Sequence, residues 1–375
     1  MHAAAAISQH PVAALAVGEL AGSILEQLDG AQIDLLVVFA DSCHTGAIDD
    51  VSSALRELLH PGVLLGTTAC GVIGQISEVE DAPAISVWAA SGIDAKPLRV
   101  EPGAAAPTSG WPQRDDANVL LLADPFTTPL EDLFAAAMAD GRSVSIHGGF
   151  ASAARGPGGN RLLLDGEIHS DGAVGVDLGN TALRSVVSQG CRPIGRAYTV
   201  TGANRNVITE LASQRPLDVL ESIARDASAE DQQVLGGGIH VGLVFDETKV
   251  DEYERGDFLI RAVMGADQAS GAIAIGAEIE VGATVQFQVR DAQSASDDLS
   301  SMLSTIDGGV TSAALTFTCN GRGERLFGRA GHDAEMVHAI SGSTATAGMF
   351  CAGEFGPVAD NNHVHGFTAS TLLFD

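Results

Sequence analysis

Basic residues are scarce in this chain: 20 Lys and Arg stand against 48 Asp and Glu, a formal net charge of −28 over 375 residues. A phosphate backbone or an anionic bilayer is repelled by such a field, so nucleic acid and membrane surfaces are not expected partners. A small ligand held in a pocket is indifferent to it. Aromatics are few (5%), while hydrophobic residues make up 45% and glycines number 44; the core is therefore aliphatic and the turns tight. Cysteine is limited to Cys43, Cys70, Cys191, Cys319 and Cys351, scattered and without a CxxC pair. That pattern argues against a disulfide framework or a structural zinc site and fits a reducing cytoplasm. No run approaches the ~20 apolar residues of a membrane span. The alanine-rich start, Met1 to Ile7, lacks the basic residues of a signal peptide.

What is present is a repeated order of elements. Leu35–Ala40 reads as a buried strand and Ile48–Leu59 as an amphipathic helix. Val63–Leu65 opens a strand that runs into Gly66-Thr67-Thr68-Ala69-Cys70-Gly71, and Ala84–Ala90 is a further strand. The order recurs with strand Val119–Ala123, helix Pro129–Met138, strand Val144–Gly149 entering a glycine turn, and strand Ala173–Leu178. It recurs again with strand Ala313–Thr318, helix His332–Ile340, strand Thr346–Cys351 entering Gly353-Glu354-Phe355-Gly356, and a last strand Val364–Phe374. A helix over Pro11–Leu28 precedes the first copy, and Pro102–Pro112 reads as a linker. Between the second and third copies, Gly202–Asn206 marks a hairpin, Pro216–Ala227 a helix, and Phe258–Met264, Ile273–Ile275 and Thr284–Val289 strands. The expected fold class is α/β with mixed sheets, helices flanking, in two domains: residues 1–200 with two copies, and 201–375 with the third copy and extra strands.

Common enzyme signatures are missing: no GxxxxGK[ST], GxSxG or HExxH occurs, and the glycine run at Gly236 precedes a strand instead of following one. Two clusters in the third copy carry chemistry. Cys319-Asn320-Gly321-Arg322-Gly323 follows a buried strand, at the end where open α/β sheets place ligands. A cysteine beside a guanidinium is activated as a thiolate; alternatively Cys319 is a small packing residue and Arg322 a surface ion pair. In the second cluster, Glu354 sits between Gly353 and Gly356, and His365 lies two residues from His363. An isolated HxH is poor support for a metal, and neither a metal nor a cofactor is expected. Were the protein an enzyme, Cys319 or Cys351 with His365 and Glu354 would supply nucleophile, base and orienter in type. The first copy keeps the turn with Cys70 but no Glu, and the second has neither, so the third copy is the expected working one.

The chain resembles the FIST family, with an N-terminal domain over about Asp34–Gly195 and a C-terminal domain over about Phe258–Phe374. The likeness rests on the Leu65–Gly74 turn, Gly190-Cys191-Arg192-Pro193-Ile194-Gly195, Val285–Asp291, Cys319–Gly323, Gly353–Pro357 and His365–Ala369. It implies a cytoplasmic sensor of small molecules, amino acids above all, acting in signal transduction. No kinase, cyclase, chemoreceptor or F-box segment is visible, so a separate signalling partner is implied. From the chemistry of the two clusters, the ligand is expected to be bound by Cys319, Asn320, Gly321, Arg322, Gly323, Gly353, Glu354, Gly356 and His365. Arg322 would clamp a carboxylate and Glu354 meet an ammonium. An enzyme with a reactive cysteine, and an acidic scaffold for a basic partner, are the competing readings.

Overall fold

A computed structural model describes the chain except residues 250–252, 254, 307–310 and 359. It divides into two compact units, Met1–Ser188 with Leu299–Val364 and Thr368–Asp375, and Gln189–Asp298 with His365–Phe367.

The first unit is built from the three copies. In each, two apolar strands run parallel: Leu35–Asp41 with Val63–Ala69, Ala117–Ala123 with Val144–Phe150, and Ala313–Cys319 with Ala345–Cys351. The helices Ile48–Leu59, Leu130–Ala137 and His332–Ser341 link them. Nearly every residue of these strands is buried, as expected for a parallel pair covered on both faces. A final strand returns antiparallel to the first: Ile85–Ser91, Ala173–Asp177 and Thr368–Phe374.

Between the second and final strands each copy throws out a hairpin, and that hairpin pairs with a different copy. Gly71–Gly74 of the first copy adds to Ala345–Cys351 of the third. Leu162–Leu164 of the second adds to Val63–Ala69 of the first. Glu354–Val358 of the third adds to Val144–Phe150 of the second. The exchange closes a ring, and the three six-stranded sheets have the same strand order. Their inner faces meet in one core containing Leu35, Phe39, Leu65, Leu120, Phe317 and Met349. Each Leu or Phe buried there contributes roughly 1.5–3 kcal/mol. The outer faces are covered by helices, for example Val38 and Leu64 beneath Leu20, Ile24 and Leu55.

One glycine recurs at the same place in every copy. A Cβ on Gly66, Gly148 or Gly348 would lie 2.5, 2.0 or 1.9 Å from the carbonyl oxygen of Val38, Leu121 or Thr316. Each of those residues is the glycine's register partner on the neighbouring strand. The backbones approach too closely for any side chain, which ties G-x-x-[AC] in the sequence to the packing of each copy.

One expectation changes and one strand is added. The single last strand Val364–Phe374 is two, Asn361–His365 and Thr368–Phe374, broken where Phe367 takes φ 66°. They belong to different sheets, so the chain must turn between them. The alanine-rich start is an edge strand, His2–Ser8, paired antiparallel with Ile85–Ser91.

In the second unit, six strands among the described residues close into a small barrel. The hairpin Tyr198–Asn204/Val207–Leu211 is followed around it by Ile273–Ile275, Phe258–Ala266, Ile239–Val244 and Thr284–Val289, and the last pairs back to Tyr198–Asn204. Its core is aliphatic with Phe287, and the helix Pro216–Asp226 packs on it through Val219 and Ile223.

Candidate functional site

The equivalent glycines set a frame for the three copies. Three residues beyond them stand Ala69, Ala151 and Cys351, and the next residues are Cys70, Ser152 and Ala352. All three of these line one cavity of about 590 Å³. It therefore sits where the three copies converge, at the carboxyl ends of the parallel strands. Metabolite pockets commonly have this size, and strand ends are where α/β sheets hold ligands. A hydrogen-bond relay ties the copies together at this end. The Cys70 amide donates to Ser152 Oγ at 3.0 Å, and that hydroxyl donates to the Phe350 carbonyl.

Apart from Ala154, the rest of the lining is polar and of both signs. Asn320 and Gly321 come from the third copy, Glu80 and Asp81 from the first, and Arg155 from the second. Glu324 and Arg325, on the short helix Glu324–Phe327, complete the wall. Among the described residues Arg155 and Arg325 make neither ion pair nor hydrogen bond, so their guanidinium groups remain available to an anion. Glu80 is already seated, its Oε1 accepting from the Glu324 amide at 2.8 Å. Gly323 makes that seat possible: at φ 63° its Cβ would fall 2.1 Å from Glu80 Oε1. This is the physical need behind the second glycine of Gly321-Arg322-Gly323.

Arg322 lies behind the lining and is fully buried. Its Nε and Nη2 donate to Asp333 at 2.7 and 2.8 Å, and its guanidinium carbon lies 5.2 Å from the Phe327 ring centroid. Asp333 also accepts from Thr318 Oγ1 at 2.7 Å and lies 2.9 Å from His332 Nδ1. The His332 ring in turn stacks on Phe327 at 3.5 Å between centroids. Burial alone would push Asp333 up; Arg322, with His332 and Thr318, holds it well below the usual carboxylate range. Across from this pair, Glu78 of the first copy's hairpin accepts from the Gly331 and Ala334 amides at 3.1 and 2.9 Å, at the start of helix His332–Ser341. Burial, and the charge of Asp333, raise Glu78 to about 7.

The remaining expected residues occupy a buried shell. Cys319 and Cys351 face each other across the parallel pair, 7% and 0% exposed. Burial, then Glu354, pushes the Cys351 thiol well above its ordinary value, which disfavours a thiolate there. Cys70 is also raised, chiefly by burial. Glu354 is buried and its Oε2 accepts from Thr368 Oγ1 at 2.6 Å, within electrostatic reach of Arg322. In the repeat frame it stands where the first copy has the core residue Val72. The Gly353 carbonyl accepts from the Phe150 amide, Gly356 lies buried in the strand Glu354–Val358, and His365 ends the strand Asn361–His365. Of the expected ligand residues, only Asn320 and Gly321 line the cavity. Cys70, Ser152, Glu80, Asp81, Arg155, Glu324 and Arg325 complete it from all three copies, and of these only Cys70 was signalled, as an equivalent of the third copy's turn. Among the described residues, no group of three or more His, Cys, Asp or Glu side chains is placed to hold a metal ion.

Three interlocked α/β copies around a polar cavity make up the first unit, and a small barrel the second. The chain belongs to the FIST family: the FIST N domain matches residues 34–214 and the FIST C domain residues 216–357. That family is associated with sensing in signal transduction. The chain is 40% identical over 378 residues to the uncharacterized protein Rv0628c of Mycobacterium tuberculosis, covering 98% of each. It is also 40% identical over 374 residues to the uncharacterized protein Mb0898c of Mycobacterium bovis, covering 97% of this chain and 96% of the relative. Among the described residues no helix is long and apolar enough to cross a membrane.

Proposed function

We propose that the protein is a sensor that binds a small zwitterionic, amino-acid-like metabolite in the cavity where its three copies meet. The observation that carries this is the pair of unpartnered arginines, Arg155 and Arg325, facing the same space as Glu80, Asp81 and Glu324. In a chain with more than twice as many acids as bases, an arginine without a carboxylate is conspicuous. Two of them at one cavity suit a carboxylate ligand, and the acids suit its ammonium. Asn320 and Ser152 add neutral hydrogen-bonding groups. Arg322 supports the wall through Asp333 and does not meet the ligand itself. A separate partner protein would read the bound state.

Thermal unfolding with a panel of L-amino acids and related metabolites tests this. At least one compound is expected to raise the melting temperature, and Arg155→Ala with Arg325→Ala is expected to abolish the rise without lowering the unliganded value. A rise that persists in the double variant, or a panel with no effect, contradicts the proposal.

A further inference from the structure

The barrel unit has a cavity of its own, of about 520 Å³, lined wholly by its own residues. One wall is apolar: Ile194, Val219, Ile223 and Ala227. Ile194, Val219 and Ile223 also belong to the barrel core, so the wall is rigid. Gly195 keeps it close, since at φ 69° a Cβ there would lie 2.8 Å from Ile223 Cδ1. Arg196 lines the same cavity, its guanidinium carbon 4.9 Å from the Tyr198 ring centroid. Stacking occupies the face of a guanidinium and leaves its N–H edge for an oxygen acceptor.

Arg196 finds no such acceptor in the protein: among the described residues it makes no ion pair and no hydrogen bond. Its neighbour Arg192 behaves differently, pairing with both Asp231 and Asp291. Of the two acids on this cavity, Asp226 and Asp231, Asp231 is thus already neutralised, and it also accepts from Ser228 Oγ. A cation stacked on an aromatic ring, against an apolar wall, in a space of metabolite size, is an arrangement that suits a ligand.

We propose that the barrel unit carries a second ligand site, selective for a small carboxylate with an apolar body. The carboxylate accepts both edge N–H groups of Arg196, and the body packs between the Tyr198 ring and the Ile194, Val219 and Ile223 wall. The site is independent of the cavity among the three copies and does not rest on the function proposed for it.

Saturation-transfer NMR with phenylacetate, and with the neutral amide phenylacetamide as control, tests the site on the full chain. Phenylacetate is expected to show transfer that falls at least fivefold in Arg196→Ala and is retained in Arg196→Lys only weakly, because Lys lacks the planar fork. Phenylacetamide is expected to give little transfer. The Arg155→Ala, Arg325→Ala double variant should leave the phenylacetate signal unchanged. Arg196 is exposed, and an unchanged melting temperature for Arg196→Ala shows that the variant folds. Equal signals from acid and amide, a signal indifferent to Arg196, one lost with Arg155 and Arg325 instead, or no binding of phenylacetate overturns the proposal.

Discussion

Arg322 and Asp333 are held in a buried pair that neither residue can leave without stranding the other. Removing one partner of such a pair destabilises by about 3–5 kcal/mol, because an uncompensated charge remains in the core. Arg322→Ala is therefore expected to lower the stability measured by chemical denaturation by about that much, whereas Arg322→Met with Asp333→Leu should lose far less. The sequence already marked Arg322, but as a ligand clamp. Its partner lies eleven residues on, within a helix whose docking is tertiary, so no local pattern could assign the guanidinium to the interior. Glu78 gives a pH signature. Its pKa rises on folding from an ordinary 4.5 to about 7, so the folded state holds a proton that the unfolded state has released. Its contribution is present below about 4.5 and is lost as pH rises through 7. Buried His147, lowered to about 4 by burial, acts in the opposite sense between about 4 and 6.5. The difference between wild type and Glu78→Gln isolates the carboxyl: wild type should lose stability relative to the variant from pH 5 to 8. A difference that is flat across that range would remove Glu78 from the account.

Among the elements, strands and helices of each copy were legible because their apolar runs and 3.6-residue periods are local. The exchanged hairpins were not. Ser77–Glu80 and Glu167–His169 are short and largely polar, and each pairs with its own hairpin partner, Gly71–Gly74 or Leu162–Leu164, which is itself held by a sheet edge supplied by another copy. The recurring glycine was visible in the sequence, but its meaning required the neighbouring carbonyl. Gly348→Ala places a Cβ 1.9 Å from the Thr316 oxygen, and loss of the folded state in circular dichroism is expected. Gly22→Ala is the contrasting case. Gly22 lies inside the helix Ala13–Leu28, where a Cβ meets nothing within 4 Å, and a gain of about 0.5–1 kcal/mol is expected from helix propensity.

For the whole molecule, the ring of exchanged hairpins means that no copy completes its own sheet. Residues 96–189 expressed alone would leave unpaired both the edge of Leu162–Leu164 that joins Val63–Ala69 and the edge of Val144–Phe150 that receives Glu354–Val358. Exposed edges of this kind aggregate, so that fragment is expected to be insoluble or unfolded, while a chain retaining all three copies folds cooperatively. The same closure means that the cavity is not built by the third copy alone, where the sequence placed the working site. Its Asn320 and Gly321 need Glu80 and Cys70 from the first copy and Ser152 and Arg155 from the second to enclose a space. The most direct test is a crystal structure of the full chain grown with a mixture of L-amino acids. Ligand density between Ser152, Asn320, Arg155 and Arg325 is the expected result. A cavity among the three copies holding only water, with the amino acid bound elsewhere or not at all, would contradict it.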